Sequence, residues 1–381
     1  MNPAPPIGVY VHWPYCARIC PYCDFNVRRD RDSGQTKTDL ANAILADIRS
    51  QAELAGARTL VSIYFGGGTP SLMDPAVVAR VIAQITAMWR PSLDLEITLE
   101  ANPTDVEAGR FQAFAQAGVN RVSLGVQSLR DRTLDLLGRN HDAAAARRAV
   151  EAAGAVFARL SVDLIYAVPG QTMGDWACEL REVVALGSEH ISPYQLTIEP
   201  ATAFAAAVRR GALRPPGPEP AADLFETTQT VLTDAGFEAY EISNHARTSA
   251  ARSRHNLLYW RGEDYLGVGP GAHGRLTIGA ARWEFSAAKG VSDYIARSAS
   301  GGHGVRRRLD PHERALERLL MGLRTSEGVA LADLTPLIIK PSKLDALADA
   351  GLVDLDDERI VARAAGRLVL DRIALHLVDG A

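Results

Sequence analysis

Cysteine is scarce in this chain, and so are long apolar runs and any excess of charge of one sign. The 381 residues include four cysteines, and 41 basic side chains stand against 45 acidic ones. No apolar run approaches the roughly 18 residues that would span a bilayer, and the start MNPAPPIGVYVHWP lacks the features of a signal peptide. Without a basic stripe, nucleic acid is a poor candidate partner. We therefore expect a cytoplasmic protein with no transmembrane segment.

Three of the four cysteines nevertheless lie within eight residues, in VYVHWPYCARICPYCDF: Cys16, Cys20 and Cys23. In a reducing compartment, clustered thiols are typical of metal ligands rather than of disulfides. Structural zinc uses four ligands, usually from two cysteine pairs, and no second pair follows here. A four-iron cluster also normally takes four protein ligands, so three thiolates would leave one iron open. A chance grouping or an irregular zinc site is the alternative.

Short apolar segments alternate with helical patterns along the first 240 residues. The expected strands are GVYVHW, VSIYFGGG, LEITLEAN, RVSLGVQ, LSVDLIYAVPG and ISPYQLTIEP. This α/β alternation predicts a parallel sheet, open or closed into a barrel, with its chemistry at the carboxyl ends of the strands. The cysteines, GGGTP, Glu100, Gln127 and Asp163 all fall at or near those ends, which locates a candidate site there.

The pattern changes after a proline-rich break at residues 209–221. A loop-rich stretch carrying HNLLYW is expected over residues 241–304. The pattern of residues 305–381 then predicts a helix, a short hairpin and a second helix. That order is typical of a small winged-helix-like α+β module. Its acidic hairpin argues against DNA binding. Three domains are thus predicted: residues 1–240, 241–304 and 305–381.

The cysteine motif, CxxxCxxC wrapped in aromatic residues after the first strand, resembles that of the radical S-adenosylmethionine (SAM) superfamily, and so do FGGGTPS, LEANP, GVQS, LGRNH and SVDLIYAVPGQT. The resemblance implies a partial parallel (β/α) barrel and a [4Fe-4S] cluster on the three cysteines, with SAM on the open iron. It also implies the residues that would contact SAM: Tyr10, Tyr22, Gly67, Gly68, Thr69, Glu100, Gln127, Arg139, Asp163 and Thr197. Carboxylates suit ribose hydroxyls, and an arginine suits the carboxylate of SAM.

Within that superfamily, the motif sequences are similar to those of the oxygen-independent coproporphyrinogen III oxidase-like branch, and the resemblance extends over nearly the whole chain. The branch contains dehydrogenases, which convert two propionates to vinyls through a 5′-deoxyadenosyl radical, and heme chaperones, which hold heme and pass it to an acceptor protein. Phe25 stands where the dehydrogenases have a further cysteine, and the segment before Cys16 is shorter than theirs. HNLLYW matches the HNxxYW motif of the chaperones. These features favour a heme chaperone.

The heme candidates come from that motif. Imidazole is the commonest axial ligand of heme iron, so His255 is the candidate ligand, and Tyr259 and Trp260 offer flat faces for a porphyrin. Nearby cations could pair with the propionates: Arg247, Arg252 and Arg254. The alternative is structural, with His255 fixing a loop and Trp260 packing in the core, and His273 is then the next histidine to consider.

We therefore expect a heme chaperone that carries a cluster, SAM and heme and transfers heme to an unidentified acceptor, for which a respiratory protein is one candidate. The alternatives are a coproporphyrinogen III dehydrogenase and a SAM-binding cluster protein with neither heme transfer nor turnover. No catalytic residue is assigned. The remaining cysteine, Cys178 in DWACEL, is expected to be a buried, inert thiol.

Overall fold

Strands and helices alternate along most of the chain, as the apolar pattern predicts. The computed structural model describes residues 4–299 and 304–378. The strands are β1 (Pro6–Trp13), β2 (Tyr15–Cys16), β3 (Arg28–Arg29), β4 (Thr59–Gly67), β5 (Arg90–Ala101), β6 (Arg121–Gln127), β7 (Arg159–Tyr166), β8 (His190–Gln195), β9 (Glu238–Glu241), β10 (Asn244–Ala246), β11 (Asp264–Val268), β12 (His273–Ile278), β13 (Ala281–Ser286), β14 (Val305–Arg308), β15 (Val329–Ala330), β16 (Val353–Leu355) and β17 (Arg359–Ala362).

The helices lie mainly between those strands. They are α1 (Gly34–Ala55), α2 (Pro75–Met88), α3 (Asp105–Ala108), α4 (Phe111–Gln116), α5 (Asp131–Leu136), α6 (Ala143–Val156), α7 (Met173–Ala185), α8 (Ala203–Arg209), α9 (Pro218–Asp234), α10 (Arg254–Trp260), α11 (Val291–Ala299), α12 (Pro311–Gly322), α13 (Pro341–Asp349), α14 (Ala364–Arg367) and α15 (Leu370–Val378). No helix in the part of the chain that the structure describes is long and apolar enough to cross a membrane.

Twelve strands form one sheet, in the order β14-β13-β12-β11-β1-β4-β5-β6-β7-β8-β10-β9. The seven neighbours from β11 to β8 run parallel. Antiparallel strands extend the sheet at both ends. Because β14 and β9 stand at opposite ends of this order, the sheet is open, and the predicted α/β fold with a parallel sheet is confirmed.

The two faces of the parallel strands differ in polarity. On one face, Val9, Ile63, Phe65 and Leu99 are buried against the helices. On the other face, side chains such as Glu100 line a cleft at the carboxyl ends of the strands. Because successive side chains of a strand point to opposite faces, one set of strands builds both the core and the site.

Residues after 309 have an apolar core of their own. Leu319, Val329, Ile360 and Ile373 are buried in it, packed among α12, α15 and a three-stranded antiparallel sheet in the order β15-β17-β16. Asp310 caps α12 in a capping box with Glu313. This arrangement agrees with the predicted winged-helix-like module.

The segment expected to be loop-rich, residues 241–304, differs from that expectation because it holds β10, α10, β11, β12, β13 and α11. β11 pairs in parallel with β1 at the centre of the large sheet. Short, glycine-containing strands such as DYLGV give weak periodic signals, which explains why the sequence pattern did not reveal them. The domain bounds themselves stay a prediction.

The expectation that Cys178 is buried is wrong, because the structure exposes its thiol. The buried face of α7 is formed by Trp176, Glu179, Leu180 and Val183. The 3.6-residue period of the helix turns position 178 away from that face.

Candidate cluster and cofactor site

The three clustered cysteines line one cleft at the carboxyl ends of the parallel strands. Cys16 ends the short strand β2, and Cys20 and Cys23 follow in the loop before β3. Backbone hydrogen bonds hold the loop closed, from Asp30 N to Cys16 O (2.9 Å) and from Cys23 N to Cys20 O (3.2 Å). The cleft has a volume of about 650 Å³, and we call it the cluster cleft.

Three cysteine thiolates are a donor set that suits an iron–sulfur cluster. Among the described residues, no three histidine, cysteine, aspartate or glutamate side chains are arranged so that they could hold one metal ion. In an iron–sulfur cluster, each cysteine binds a different iron, so the thiolates need not converge on one point. The donor set therefore fits a cluster with three protein ligands.

Arg139 brings a positive charge into contact with the cysteine loop. Its Nη1 donates a hydrogen bond to the Cys20 sulfur at 3.3 Å, and its Nη2 donates to Asn102 Oδ1 and to the Gly125 carbonyl. Burial raises the pKa of the Cys16 thiol to about 11 and raises that of Cys23, while Arg139 acts in the opposite direction. A cation beside the loop thus favours the thiolate forms that metal binding requires.

One donor of Arg139 has no partner within the described residues. Its Nε is buried and makes no hydrogen bond there, although a buried polar group is normally satisfied. An N–H group of a guanidinium that faces a cleft suits a carboxylate. The observation fits an anionic group in the cluster cleft, such as the carboxylate of SAM.

The glycine-rich turn after β4 packs directly on the cysteine loop. Gly68 N donates to Trp13 O (2.8 Å) and Thr69 N donates to Tyr15 O (2.8 Å). A Cβ at position 68 would lie 2.7 Å from the Tyr15 carbonyl oxygen, and Gly67 has a φ of 108°. Glycine is therefore required here to bring the turn against the loop, and the same turn lines the cluster cleft.

Two carboxyl groups form the acidic floor of the cleft. Glu100 accepts hydrogen bonds from Tyr64 Oη (2.8 Å) and from Gly67 N (3.2 Å), and burial raises its pKa to about 7. Asp163 accepts from Ser123 Oγ at 2.7 Å, and burial raises its pKa. Carboxylates held by neutral donors keep lone pairs for a ligand, so both could accept from hydroxyl groups.

The structure brings nine of the ten predicted SAM residues together as lining of the cluster cleft: Tyr22, Gly67, Gly68, Thr69, Glu100, Gln127, Arg139, Asp163 and Thr197. Gln127 ends β6 with a φ of 63°, a conformation that is uncommon for non-glycine residues and clusters at functional sites. Tyr10 is the exception. It stacks on Tyr64, its hydroxyl lies 3.1 Å from His12 Nδ1, and it does not line the cleft.

Sequence reasoning missed other residues that line the cleft, among them Tyr64, Asn102, Ser123 and Tyr194. Asn102 lies two residues after Glu100, and Ser123 lies four before Gln127. An even spacing along a strand places side chains on the same face. That rule, applied to the predicted strands, could have found Asn102 and Ser123.

The HNLLYW segment forms α10, with its first histidine enclosed. The His255 ring is 3% exposed and stacks on Tyr64, with ring centroids 4.3 Å apart, while Tyr259 meets it edge-on at 4.4 Å. Burial lowers the pKa of His255 to about 3, so the imidazole is neutral at ordinary pH. His255 does not line the cluster cleft, and iron ligation by His255 stays a prediction.

Glu96 holds the start of this helix against the barrel. Its carboxylate accepts from the backbone N–H groups of Arg254 and His255, both at 3.1 Å, and lies 2.7 Å from Arg159 Nη2. Burial alone would raise the pKa of Glu96, but Arg121, Arg159 and these N–H groups hold it below its usual value. The helix is thus fixed beneath the cluster cleft by a buried ionic network.

The three arginines expected near a heme each have partners inside the protein. Arg252 pairs with Glu238 and Arg254 with Asp94, while Arg247 donates to the Ala235 carbonyl. His273, the alternative histidine, is exposed at the start of β12 and does not line the cluster cleft. His12 is buried next to the cysteine loop and lies 2.9 Å from the Asn26 carbonyl through Nε2.

Two family models match this chain. The family model described as the radical SAM superfamily matches residues 10–180, and the one described as the HemN C-terminal domain matches residues 309–369. The first match contains the three cysteines and most of the predicted cofactor residues.

Similar proteins span nearly the whole chain. The mitochondrial radical S-adenosyl methionine domain-containing protein 1 of Bos taurus is 38% identical over 98% of this chain and 87% of its own length. The heme chaperone HemW of Mycobacterium tuberculosis is 35% identical over 99% of this chain and 96% of its own length. The structure of coproporphyrinogen III oxidase (HemN) from Escherichia coli, 23% identical, covers all of this chain and 92% of its own with a TM-score of 0.81, which shows a shared fold.

Proposed function

This chain belongs to the radical SAM superfamily, in its coproporphyrinogen III oxidase-like branch, and from that premise we propose that it is a heme chaperone. In this proposal it binds heme and transfers it to an acceptor protein, and it carries a [4Fe-4S] cluster and SAM. The cysteine usage suits a reducing compartment. We propose the cytoplasm, although similar proteins include some named mitochondrial.

The observation that carries the proposal is a 35% sequence identity, extending over 99% of the chain, to a protein named as a heme chaperone. The residue at position 25 supports the same choice. Phe25 is 61% exposed in the wall of the cluster cleft, where the resemblance implies a further cysteine for a dehydrogenase. The fold likeness to the oxidase of Escherichia coli does not separate the two functions, because one fold supports several.

The residues of the cluster cleft suit the proposed cofactors. Cys16, Cys20 and Cys23 would hold the cluster, and Arg139 would offer its unpartnered Nε to the carboxylate of SAM. When bound, the cluster supplies an open iron and a source of single electrons. Glu100 and Asp163 would accept hydrogen bonds from ribose hydroxyls.

The experiment gives anaerobically reconstituted protein hemin in one tube, and coproporphyrinogen III with SAM and a reductant in another. We expect about one heme per chain and no protoporphyrinogen, by analogy with single-site cofactor binding. Incubating the heme-loaded protein with an apo-hemoprotein should then move the heme to that acceptor.

The outcomes separate the candidate functions. Stoichiometric protoporphyrinogen would establish the dehydrogenase instead. A cluster that responds to SAM, in a protein that neither retains hemin nor forms product, would leave a SAM-binding protein without heme transfer.

A further inference from the structure

A second cleft, of about 690 Å³, lies between α10 and α12 and shares no lining residue with the cluster cleft. The end of α10, the strands β11 to β13 and the first helix of the C-terminal module form its walls. Six arginines line it, and we call it the arginine cleft: Arg261, Arg275, Arg282, Arg308, Arg314 and Arg318. Three carboxylates line it too: Asp310, Glu317 and Asp333.

Four of these arginines are neutralised within the protein. Salt bridges join Arg275 to Glu317, Arg282 to Asp264, Arg318 to Asp333 and Arg261 to Glu327. The other two differ, because neither the Arg308 nor the Arg314 guanidinium makes a salt bridge or hydrogen bond among residues 4–299 and 304–378. The arginine cleft thus presents two arginines without an ion-pair partner, beside the Asp310 carboxylate, which accepts from the Glu313 backbone N–H. Two such guanidinium groups suit a ligand with two carboxylates.

The same cleft presents aromatic surface. Tyr259, Trp260 and Tyr265 line it. The Arg324 guanidinium covers the Trp260 ring at 4.7 Å from its centroid, and the indole Nε1 is buried without an acceptor in the described residues. Flat rings and an unsatisfied N–H donor suit a flat ligand with acidic groups at its edge.

A sulfur ligand is available on the opposite wall. Met321, on α12, lines the arginine cleft and also a smaller cavity of about 190 Å³ beside it. A thioether is an established axial ligand of heme iron in electron-transfer proteins. The wall formed by α12 therefore offers iron a ligand that α10, with its enclosed histidine, does not.

A continuous row of rings joins the two clefts. Tyr64 lines the cluster cleft and stacks on His255, His255 meets Tyr259 at 4.4 Å, and Tyr259 meets Tyr265 at 4.2 Å in the wall of the arginine cleft. His255 and Tyr259 are four residues apart and so lie on one face of α10. The spacing of the HNLLYW segment thus builds the partition between the two clefts.

From these observations we propose that heme binds in the arginine cleft, with its propionates on Arg308 and Arg314 and the Met321 sulfur as an axial ligand. The inference rests on the proposed function and deepens it, because it assigns the heme to a site formed jointly by the barrel and the C-terminal module. His255 then positions Tyr259 rather than binding iron.

The test titrates hemin and iron-free protoporphyrin IX into the full-length reconstituted protein and its variants. Arg308→Gln combined with Arg314→Gln should raise the dissociation constant of both ligands about tenfold or more, since each loses charge-assisted hydrogen bonds. Met321→Leu keeps the side-chain volume. It should shift the Soret band and weaken hemin binding, while protoporphyrin IX binds as to the unchanged protein.

Matched controls come from α7, outside this cleft. Arg181→Gln removes an exposed arginine, and Met173→Leu removes an exposed methionine, and both should bind hemin normally. Cluster absorbance and the thermal unfolding midpoint verify that each variant is folded.

The results distinguish this inference from the proposed function. If the unchanged protein binds hemin and the arginine and methionine variants bind it with the same affinity and spectrum, the heme lies elsewhere and only the inference fails. If Arg181→Gln weakens hemin binding as much as the Arg308 and Arg314 substitutions do, the inference is also overturned, because that result indicates general charge attraction. If the unchanged protein binds no hemin, both proposals fail.

Discussion

At the scale of single residues, the cluster cleft contains a few polar or charged side chains whose burial is energetically unfavourable. Arg139 is buried yet leaves its Nε without a partner in the described part of the chain. Glu100 and Asp163 are held where burial raises the pKa of each carboxyl. Groups of this kind are destabilising unless a ligand uses them, and perturbed pKa values cluster at functional sites.

The cysteine ligands give the first prediction. Replacing Cys16, Cys20 or Cys23 with alanine should abolish the brown absorbance of the anaerobically reconstituted protein, which otherwise contains about four irons per chain. Cys178→Ala is the control, because its thiol is exposed on α7. Iron analysis and visible spectra measure the result. Loss of the cluster in Cys178→Ala but not in Cys20→Ala would contradict the ligand assignment.

Glu100 gives a prediction about pH. Its pKa is about 7 in the folded protein against an ordinary 4.5, so ionisation opposes folding. The cost begins above pH 4.5 and is complete above pH 7. In the protein without cofactors, Glu100→Gln should raise the free energy of unfolding by about 1–3 kcal/mol at pH 8 and change it little at pH 5.

Urea unfolding at the two pH values measures this difference. Glu53→Gln, an exposed position on α1, should have almost no effect at either pH. A Glu100→Gln protein that is less stable than the parent at pH 8 would show that the buried carboxylate is compensated.

At the scale of elements, α10 is a short helix that gains its stability from contacts with the barrel. Seven residues are too few for a stable isolated helix. The Glu96 carboxylate binds its first backbone N–H groups, and Gly8 on β1 leaves room for Leu258, since a Cβ there would lie 3.0 Å from that side chain. The helix thus closes the barrel beneath the cluster cleft.

Glu96→Gln should lower the free energy of unfolding by about 2–4 kcal/mol, because it leaves buried arginine charge without its partner. Asp94→Asn is the matched control two residues away. Asp94 pairs with Arg254 but its side chain is 63% exposed, and exposed pairs contribute less than about 1 kcal/mol. Chemical unfolding compares the two variants, and equal losses would refute a special role for the buried network.

At the scale of the whole molecule, buried neutral histidines connect the stability of the fold to pH. Burial lowers the pKa of His141 to about 4 and that of His245 and His255 to about 3. The pKa values of His12 and His190 are lowered for the same reason. These rings are distributed over β1, β8, β10, α10 and the turn before α6, so their protonation acts on the entire fold.

Each of these histidines contributes stability that is lost as the pH falls. Because the folded pKa lies below the unfolded value of 6.5, only the unfolded chain takes up protons just below pH 6.5. The free energy of unfolding should therefore fall from pH 6.5 toward pH 4, by at most about 1.4 kcal/mol per pH unit for each histidine.

His255→Phe keeps a ring in the stack and should reduce the slope of this decline, whatever its effect on stability at neutral pH. His312→Phe, an exposed position on α12, should leave the slope unchanged. Denaturation curves collected at several pH values give both slopes, and identical slopes in the two variants would count against the buried-histidine account.

The sequence by itself determined the parallel α/β fold and an α+β module after it, and its resemblance to the radical SAM superfamily identified nine of the residues that line the cluster cleft. The fold depends on local patterns, since strand period and glycine turns are properties of neighbouring residues. Tertiary structure alone decided that HNLLYW forms a helix with His255 buried, that Cys178 is exposed and that β11 pairs with β1. Each depends on contacts between residues far apart in the chain, such as that of Glu96 with His255. A local sequence pattern does not specify which buried charge or ring a distant segment will contact.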